Sequence, residues 1–167
     1  MFNLNNKTIW IIGSLEYTSV YTLCNMVLNN IKIRKEVRVY INSVGGCLFN
    51  GLTIYDMIQV SKIDVKTICL KYASSVSSLL IISGTIGKRL CLDRSNLYLH
   101  LPNITITGNL TTLTKSLKNI NWIDDGITKI YMKHCGKIYS NVIKVMTESI
   151  WIPSDLAISW TVIDNVI

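Results

Sequence analysis

The sequence predicts an α/β fold in which a parallel sheet is covered by helices, and two observations support this prediction. Short β-branched segments alternate with segments of helical apolar spacing, at intervals of about 20–30 residues, which is typical of βαβ units. No linker, low-complexity tract or internal repeat interrupts the alternation. At 167 residues the chain is long enough for one domain with a real core, so we predict a single domain over residues 1–167.

Each predicted element rests on its own pattern of apolar residues and its own terminating turn. Thr8 to Ile12 is a short apolar strand that ends at Gly13, and the helical spacing that follows extends to about Asn29. The other predicted strands are 37–42, 65–70, 90–92, 97–100 and 162–163. The other predicted helices are 50–60, 75–83, 110–137, 139–146 and a short helix that begins near Pro153.

The composition is unusually apolar for a soluble domain, with 49% hydrophobic and only 16% charged residues. No apolar run reaches the roughly 18 residues that a membrane span needs, and the residues after Met1 lack the order of a signal peptide. We therefore expect no membrane association and attribute the apolar excess to surface buried between subunits.

The charge and the cysteines exclude two other classes of function. The net charge is +7, but the basic residues are scattered, and the two short clusters Lys32–Lys35 and Lys88–Arg89 are not interleaved with aromatic residues, so we expect no nucleic-acid partner. The five cysteines are odd in number and form no CxxC pair, which predicts a reducing compartment with no disulfides and no zinc site. We also expect no cofactor and no other metal. Heavy use of Ile, Asn and Lys suggests an AT-rich organelle genome, so we expect a plastid or plastid-derived organelle, otherwise the cytoplasm.

Three places in the sequence could carry chemistry, and each also has a purely structural explanation. The Gly45-Gly46 pair follows a strand and could present a free N–H, although such a pair is usually only a turn. Ser75 lies where a strand meets an apolar helix, so its hydroxyl could face a cleft or simply cap the helix. His100 ends a strand and could act as a general base, or it could be structural, as we expect for His134 within a helix.

Taken together, the order and spacing of these segments resemble the ClpP family of serine peptidases along nearly the whole chain. The matching segments are YINSVGG (40–46), GLTIYD (51–56), TIC (67–69) with ASSV (73–76), SGTIGKR (83–89), LYLHLP (97–102) and SWTVID (159–164). The resemblance implies the ClpP/crotonase type of fold, with stacked ββα units, a parallel sheet covered by helices and a protruding handle helix.

The resemblance also implies an activity and a set of site residues. Ser75 falls on the family's nucleophile and His100 on its general base, while the backbone N–H groups of Gly46 and Val76 fall on the oxyanion hole. The implied function is hydrolysis of peptide bonds in unfolded polypeptides by the proteolytic core of an ATP-dependent Clp protease. The implied partners are like subunits or ClpP paralogues in stacked heptameric rings, together with an AAA+ Clp unfoldase.

The departures from the family pattern concern the third member of the triad. Ser149 stands where the family has its acid, and a serine cannot balance the charge of an imidazolium. Glu148 is adjacent in sequence but is expected to point elsewhere. The family's N-terminal segment, which forms axial pore loops, is also expected to be largely absent.

Two alternatives to an active peptidase remain open. One is a non-catalytic, ClpR-like subunit that completes a mixed ring, which the serine at position 149 favours and the retention of Ser75 and His100 opposes. The other is an acyl-CoA enzyme of the crotonase group, which would have no use for Ser75 and His100 at these positions.

Overall fold

The computed structural model describes residues 8–33 and 36–167. Residues 1–7 and, of the basic cluster Lys32–Lys35, residues 34 and 35 lie outside the described residues. The strands are β1 (Thr8–Leu15), β2 (Val37–Gly46), β3 (Val65–Ser74), β4 (Arg89–Cys91), β5 (Asn96–Leu99), β6 (Ile150–Pro153) and β7 (Asn165–Val166). The helices are α1 (Tyr17–Ile33), α2 (Leu48–Val60), α3 (Val76–Ile82), α4 (Leu110–Cys135), α5 (Tyr139–Glu148) and α6 (Ser154–Ser159).

The strands form one mostly parallel sheet, as the alternation of strands and helices predicts. Its order is β1-β2-β3-β4-β7, and every neighbouring pair along this path is parallel. The long strand β3 has two partners on the same side, because its first half pairs with β4 and its last residues, Tyr72 to Ser74, pair with β5. The end of β3 is therefore held between β2 and β5, at the edge where the catalytic residues are expected.

The core lies between the sheet and α3, which is buried along its entire length. In β2, Val37, Val39 and Ile41 alternate with more exposed residues, so one face of the strand packs inward. Apolar helices that are buried on all sides belong to a protein core, and α3 accordingly fills the space between the sheet and α2.

A protruding helix is present where the handle is expected. None of residues 110–126, the first two thirds of α4, is buried, whereas Ile127, Tyr131 and Cys135 in its last turns are. Leu110 and Trp122 are 79% and 76% exposed. These side chains form apolar surface that the isolated chain leaves uncovered.

The structure differs from the predicted elements at the C-terminus. The predicted strand 162–163 is wrong, because the N–H groups of Val162 and Ile163 bond to the carbonyl of Ala157 and close a turn after α6. The terminal strand is β7, which lies three residues later and pairs with β4. Strand β6 was not predicted, and it pairs antiparallel with β5.

Candidate active site

The junction between β3 and α3 holds Ser75 in a strained conformation. Its φ of 58° and ψ of −133° are unusual for a residue with a side chain, and such conformations cost about 1–3 kcal/mol. The Ser75 N–H donates to the carbonyl of Tyr98 on β5 at 3.0 Å, and the Ser75 carbonyl accepts from the Ser78 N–H at 2.9 Å. The Ser75 side chain makes no capping hydrogen bond to α3, so the structure does not give its hydroxyl the capping role that the sequence left open.

Two glycines at the end of β2 allow its backbone to pass close to two different segments. A Cβ on Gly45, whose φ is 92°, would lie 2.7 Å from the Ser74 carbonyl oxygen and 2.8 Å from the Ser75 Cβ. A Cβ on Gly46 would lie 2.6 Å from the Leu15 carbonyl oxygen at the end of β1. Gly45 is therefore needed for the close approach of β2 to the serine, and Gly46 for its close approach to β1.

Buried hydroxyl groups fasten this part of the backbone. Ser43 donates to the Gly13 carbonyl at 2.6 Å and accepts from the Gly45 N–H at 3.1 Å. Ser77 on α3 donates to the Ser43 hydroxyl at 2.7 Å, and both serines are fully buried. Because a buried hydroxyl is costly unless it is hydrogen-bonded, this connected set holds β1, β2 and α3 in one arrangement.

A second hydroxyl pair supports Ser75 from the other side. The Ser78 hydroxyl donates to the Ser75 carbonyl at 2.6 Å and lies 2.6 Å from the Tyr131 hydroxyl. Since Ser78 has one proton to donate, Tyr131 is the donor in the second bond. Burial raises the pKa of the Tyr131 phenol, and the bond to Ser78 opposes this only in part, so Tyr131 stays protonated.

His100 follows β5 and is half-buried, with its ring centroid 5.1 Å from that of Tyr98. In the described part of the chain, no hydrogen bond within 3.5 Å joins the imidazole to Ser75, and no carboxylate lies within 4.0 Å of it. Catalytic hydrogen bonds are often long before substrate binds, so this open geometry is compatible with a general base at His100.

One cavity brings together four of the five residues that the sequence singled out. It has a volume of about 530 Å³, and Gly46, Ser75, Val76 and His100 line it. The remaining wall is mainly apolar and includes Phe49, Leu79, Ile104, Ile123, Ile127, Tyr131 and Met146. A volume of this size and lining suits an apolar side chain held beside the serine.

The protein-family model for the Clp protease matches residues 3–167, which is nearly the whole chain. The chain belongs to the Clp protease family. It is a Clp-type proteolytic subunit, and membership implies a ring oligomer that works with a Clp ATPase. The match favours the ClpP resemblance over the crotonase alternative.

In this Clp protease subunit, Ser149 does not line the cavity. It caps the end of α5 in the left-handed conformation, with a φ of 54°, and its side chain is exposed. The pairing of Leu99 with Ile150 places Ser149 beside His100, one step past the end of the β5–β6 ladder. The backbone therefore brings position 149 next to His100, but the side chain there is neutral.

The two carboxylates nearest to Ser149 in the sequence, those of Glu148 and Asp155, interact with other groups. Glu148 lies 3.9 Å from Lys144 on the same exposed helix face. Asp155 accepts a hydrogen bond from the Leu156 N–H at the start of α6. Neither residue therefore rebuilds the missing acid in this structure.

His134 and two family segments meet on the opposite side of the protein. Arg89, from SGTIGKR, is buried and forms a two-pronged ion pair with Asp164 from SWTVID, with Nε to Oδ2 at 3.0 Å. Burial by itself raises the pKa of Asp164, but the hydrogen bonds and charge of Arg89 outweigh it and the pKa lies below its ordinary value. His134 bonds the Tyr55 hydroxyl through Nε2 at 2.9 Å, which is the structural role expected for it.

Sequence reasoning missed the residues that support the site. Ser43, Ser77, Ser78, Tyr98 and Tyr131 act through contacts that only the fold reveals. Ser43 and Tyr98 lie within the matching segments 40–46 and 97–102, but the sequence does not indicate their partners, and the serines around position 75 are also explained as helix caps.

Residues 8–33 and 36–167 contain no group of three or more His, Cys, Asp or Glu residues that could hold a metal ion. Over the same residues, no helix is long and apolar enough to cross a membrane.

Proposed function

We propose that this chain is a serine-type peptidase subunit in which Ser75 is the nucleophile and His100 the general base. The observation that carries the proposal is the strained junction at Ser75, whose free hydroxyl lies in the same cavity as His100. Strained backbone persists where the surrounding structure holds it in place, and it is concentrated at functional sites. A residue that only capped α3 would need neither the strain nor the glycine at position 45.

In the proposed reaction, His100 removes the Ser75 proton as the oxygen attacks the peptide carbonyl. The negative charge that develops on the carbonyl oxygen is stabilised by the N–H groups of Gly46 and Val76. The N–H of Val76 belongs to the first turn of α3, where it has no partner within the helix. His100 then protonates the leaving amine, and water hydrolyses the acyl-enzyme by the same route in reverse.

The substrates proposed are unfolded polypeptides that present an apolar side chain beside the scissile bond. The apolar wall formed by Leu79, Ile123, Ile127 and Met146 supports this choice. The chain would act in stacked rings with like subunits or paralogues, supplied by an AAA+ unfoldase. The exposed apolar side chains of α4 are consistent with burial in such an assembly.

The second candidate is a non-catalytic, ClpR-like subunit of a mixed ring. The observation that favours it is the neutral, exposed Ser149 beside a histidine with no carboxylate within 4.0 Å among the described residues. In a related triad, replacing the acid by an amide lowers turnover about 10⁴-fold. Activity well below that of a complete triad is therefore expected even for the first candidate.

Labelling with a fluorophosphonate probe separates the two candidates. In the assembled ring, the peptidase should be labelled at Ser75, with the site established by mass spectrometry. Ser75→Ala should abolish labelling, whereas Ser74→Ala, one residue earlier, should leave it. Absence of labelling in a ring whose active paralogue is labelled would establish the non-catalytic candidate.

A further inference from the structure

Three aromatic or imidazole rings lie in a row on the outer face of the β5–β6 pair. Tyr98 on β5 is directly opposite Trp151 on β6, and their ring centroids are 4.8 Å apart with planes 35° from parallel. His100, two residues after Tyr98, lies on the same face, with 5.1 Å between the centroids and 31° between the planes. The order in space is Trp151, Tyr98, His100.

A catalytic imidazole has two requirements that a carboxylate normally meets. The ring must be held in one orientation, and the positive charge that it gains must be stabilised. Ser149, at the backbone position beside His100, is exposed and uncharged. The face of an aromatic ring meets both requirements more weakly, because it restricts the imidazole by contact and attracts a cation within about 6 Å.

We propose that Tyr98, backed by Trp151, is the positioning residue of His100 and takes over part of the role of the missing acid. This inference rests on the proposed peptidase activity. Tyr98 also accepts the Ser75 N–H on its carbonyl oxygen at 3.0 Å, so one residue fixes the backbone of the nucleophile and the ring of the base.

The proposal assigns the effect to the ring of Tyr98 and not to its hydroxyl, for which the described residues provide no hydrogen-bond partner. Tyr98→Phe keeps the ring and should keep the activity. Tyr98→Leu replaces the ring by an aliphatic side chain that still covers the strand. Tyr98 and His100 are both half-buried, so their contact lies between the weak cation–π contacts of exposed rings and the stronger contacts of desolvated ones. The expected loss in kcat is therefore about tenfold, far below the loss expected from removing an acid.

The experiment measures labelling of Ser75 by the fluorophosphonate probe, together with kcat and KM on a short fluorogenic peptide, in the assembled protein. Tyr98→Leu should lower the labelling rate and kcat about tenfold with little change in KM, and Tyr98→Phe should stay within about twofold of the wild type. Tyr40→Leu is the matched control, because Tyr40 stacks on Trp10 in the same sheet, at 4.5 Å, away from the cavity. It should leave labelling unchanged.

The same measurements in a Ser149→Asp background test whether the ring and an acid serve the same purpose. With a carboxylate beside His100, the loss caused by Tyr98→Leu should shrink to less than about threefold. An equal loss in both backgrounds, or an equal loss in Tyr40→Leu, would overturn the proposal. If Tyr98→Leu does not assemble, Trp151→Leu is measured instead. Because Trp151 acts on His100 through Tyr98, the expected loss in labelling rate is smaller than for Tyr98→Leu, and no loss at all would overturn the proposal.

Failure of this inference is distinguishable from failure of the proposed function. If the wild-type protein is never labelled, both the proposed peptidase activity and the positioning role of Tyr98 are ruled out. A labelled wild type with an unaffected Tyr98→Leu variant removes only the positioning role.

Discussion

At the scale of the residue, the backbone strain at Ser75 is offset by hydrogen bonds to its N–H group and to its carbonyl group. The Tyr98 carbonyl accepts its N–H, and Ser78 donates to its carbonyl through both the backbone and the side chain. Tyr131 then fixes the Ser78 hydroxyl. Since a net hydrogen bond contributes about 1 kcal/mol, these contacts are of the size needed to hold a conformation that costs about 1–3 kcal/mol.

Replacing Gly45 tests how closely β2 must approach Ser75. Gly45→Ala combines a positive φ with a Cβ only 2.8 Å from the Ser75 Cβ, so the junction must shift. We expect a loss of about 2–4 kcal/mol in the free energy of unfolding and at least a tenfold slower labelling of Ser75. Urea unfolding and the probe assay measure the two effects.

The matched control for Gly45 is Gly87, which has a φ of 83° and nothing within 4 Å of an added Cβ. Gly87→Ala should cost only the backbone strain, about 1 kcal/mol, and leave labelling intact. Equal effects of the two substitutions would mean that strain alone, and not crowding against Ser75, requires the glycine.

Ser75 and His100 could be selected as candidates from the sequence because each lies in a segment whose order and spacing match a known family. The contact between Ser78 and Tyr131 could not be predicted, since it joins residues 53 positions apart. A tyrosine at an apolar position of a helix is usually a core residue, and only the fold shows which polar group its hydroxyl meets. Tyr98 and His100 are only two positions apart, but strand periodicity indicates no more than a shared face, and the stacking of their rings depends on side-chain conformation.

At the scale of the element, long strands and helices with clear periodicity could be predicted, and short pieces could not. Strands β1 to β3 and the long α4 begin where the patterns indicate, because burial of one face imposes the pattern. The three strands run three or four residues further than predicted, and β1 passes through Gly13 and ends at Leu15. Strand β6 has only four residues and ends in Pro153, so its own sequence does not indicate a strand. It forms through its pairing with β5. The error at residues 162–163 has a similar origin, since an apolar pair in a buried turn looks like a strand.

Gly51 shows how a single atom sets the distance between α2 and α3. A Cβ on Gly51 would lie 1.9 Å from Val76 Cγ2, and the residue has no unusual backbone conformation. Gly51→Ala should therefore destabilise the protein by about 1–3 kcal/mol through overpacking alone. Urea unfolding at fixed protein concentration measures the loss.

Val76→Ala removes the methyl groups that an added Cβ would meet, so the double variant should be more stable than the sum of the two single effects indicates. Gly126→Ala in α4 is the control, because a Cβ there meets nothing within 4 Å and a helix-interior alanine should gain up to about 1 kcal/mol. Simple additivity of Gly51→Ala and Val76→Ala would contradict the packing explanation.

At the scale of the whole molecule, buried polar contacts tie together parts of the chain that are far apart in sequence. Arg89 at the start of β4 bonds both oxygens of Asp164 and also the carbonyl of His134, so β4, the C-terminal turn and α4 meet at one guanidinium. His134 extends this set to Tyr55 on α2. The side of the protein away from the cavity is therefore held together by this ion pair and these hydrogen bonds. Exposed apolar side chains, by contrast, lie on surfaces such as the protruding part of α4.

The partly buried imidazole of His134 makes the stability of the whole fold depend on pH. Burial, followed by the charges of Lys133 and Arg89, lowers the pKa of His134 from 6.5 to about 4. Below pH 6.5 the unfolded chain binds a proton that the folded chain does not, so the free energy of unfolding falls as the pH drops towards 4 and does not change above 6.5 on this account. The full shift implies a loss of about 2 kcal/mol between pH 6.5 and 4.5, and because the ring is only partly buried we expect about 1–2 kcal/mol.

The variant that tests this pH dependence is His134→Gln, which stays neutral throughout and can still bond the Tyr55 hydroxyl. Unfolding by urea at several pH values, with the protein concentration fixed because the subunit assembles, should show a flatter profile for the variant than for the wild type. The pH range is chosen above the titration of the Asp164 ion pair, whose lowered pKa withdraws stability only at more acidic pH. Identical slopes for the two proteins between pH 6.5 and 4.5 would show that His134 binds its proton equally well in the folded and unfolded chain, and that the ring is not held neutral by the fold.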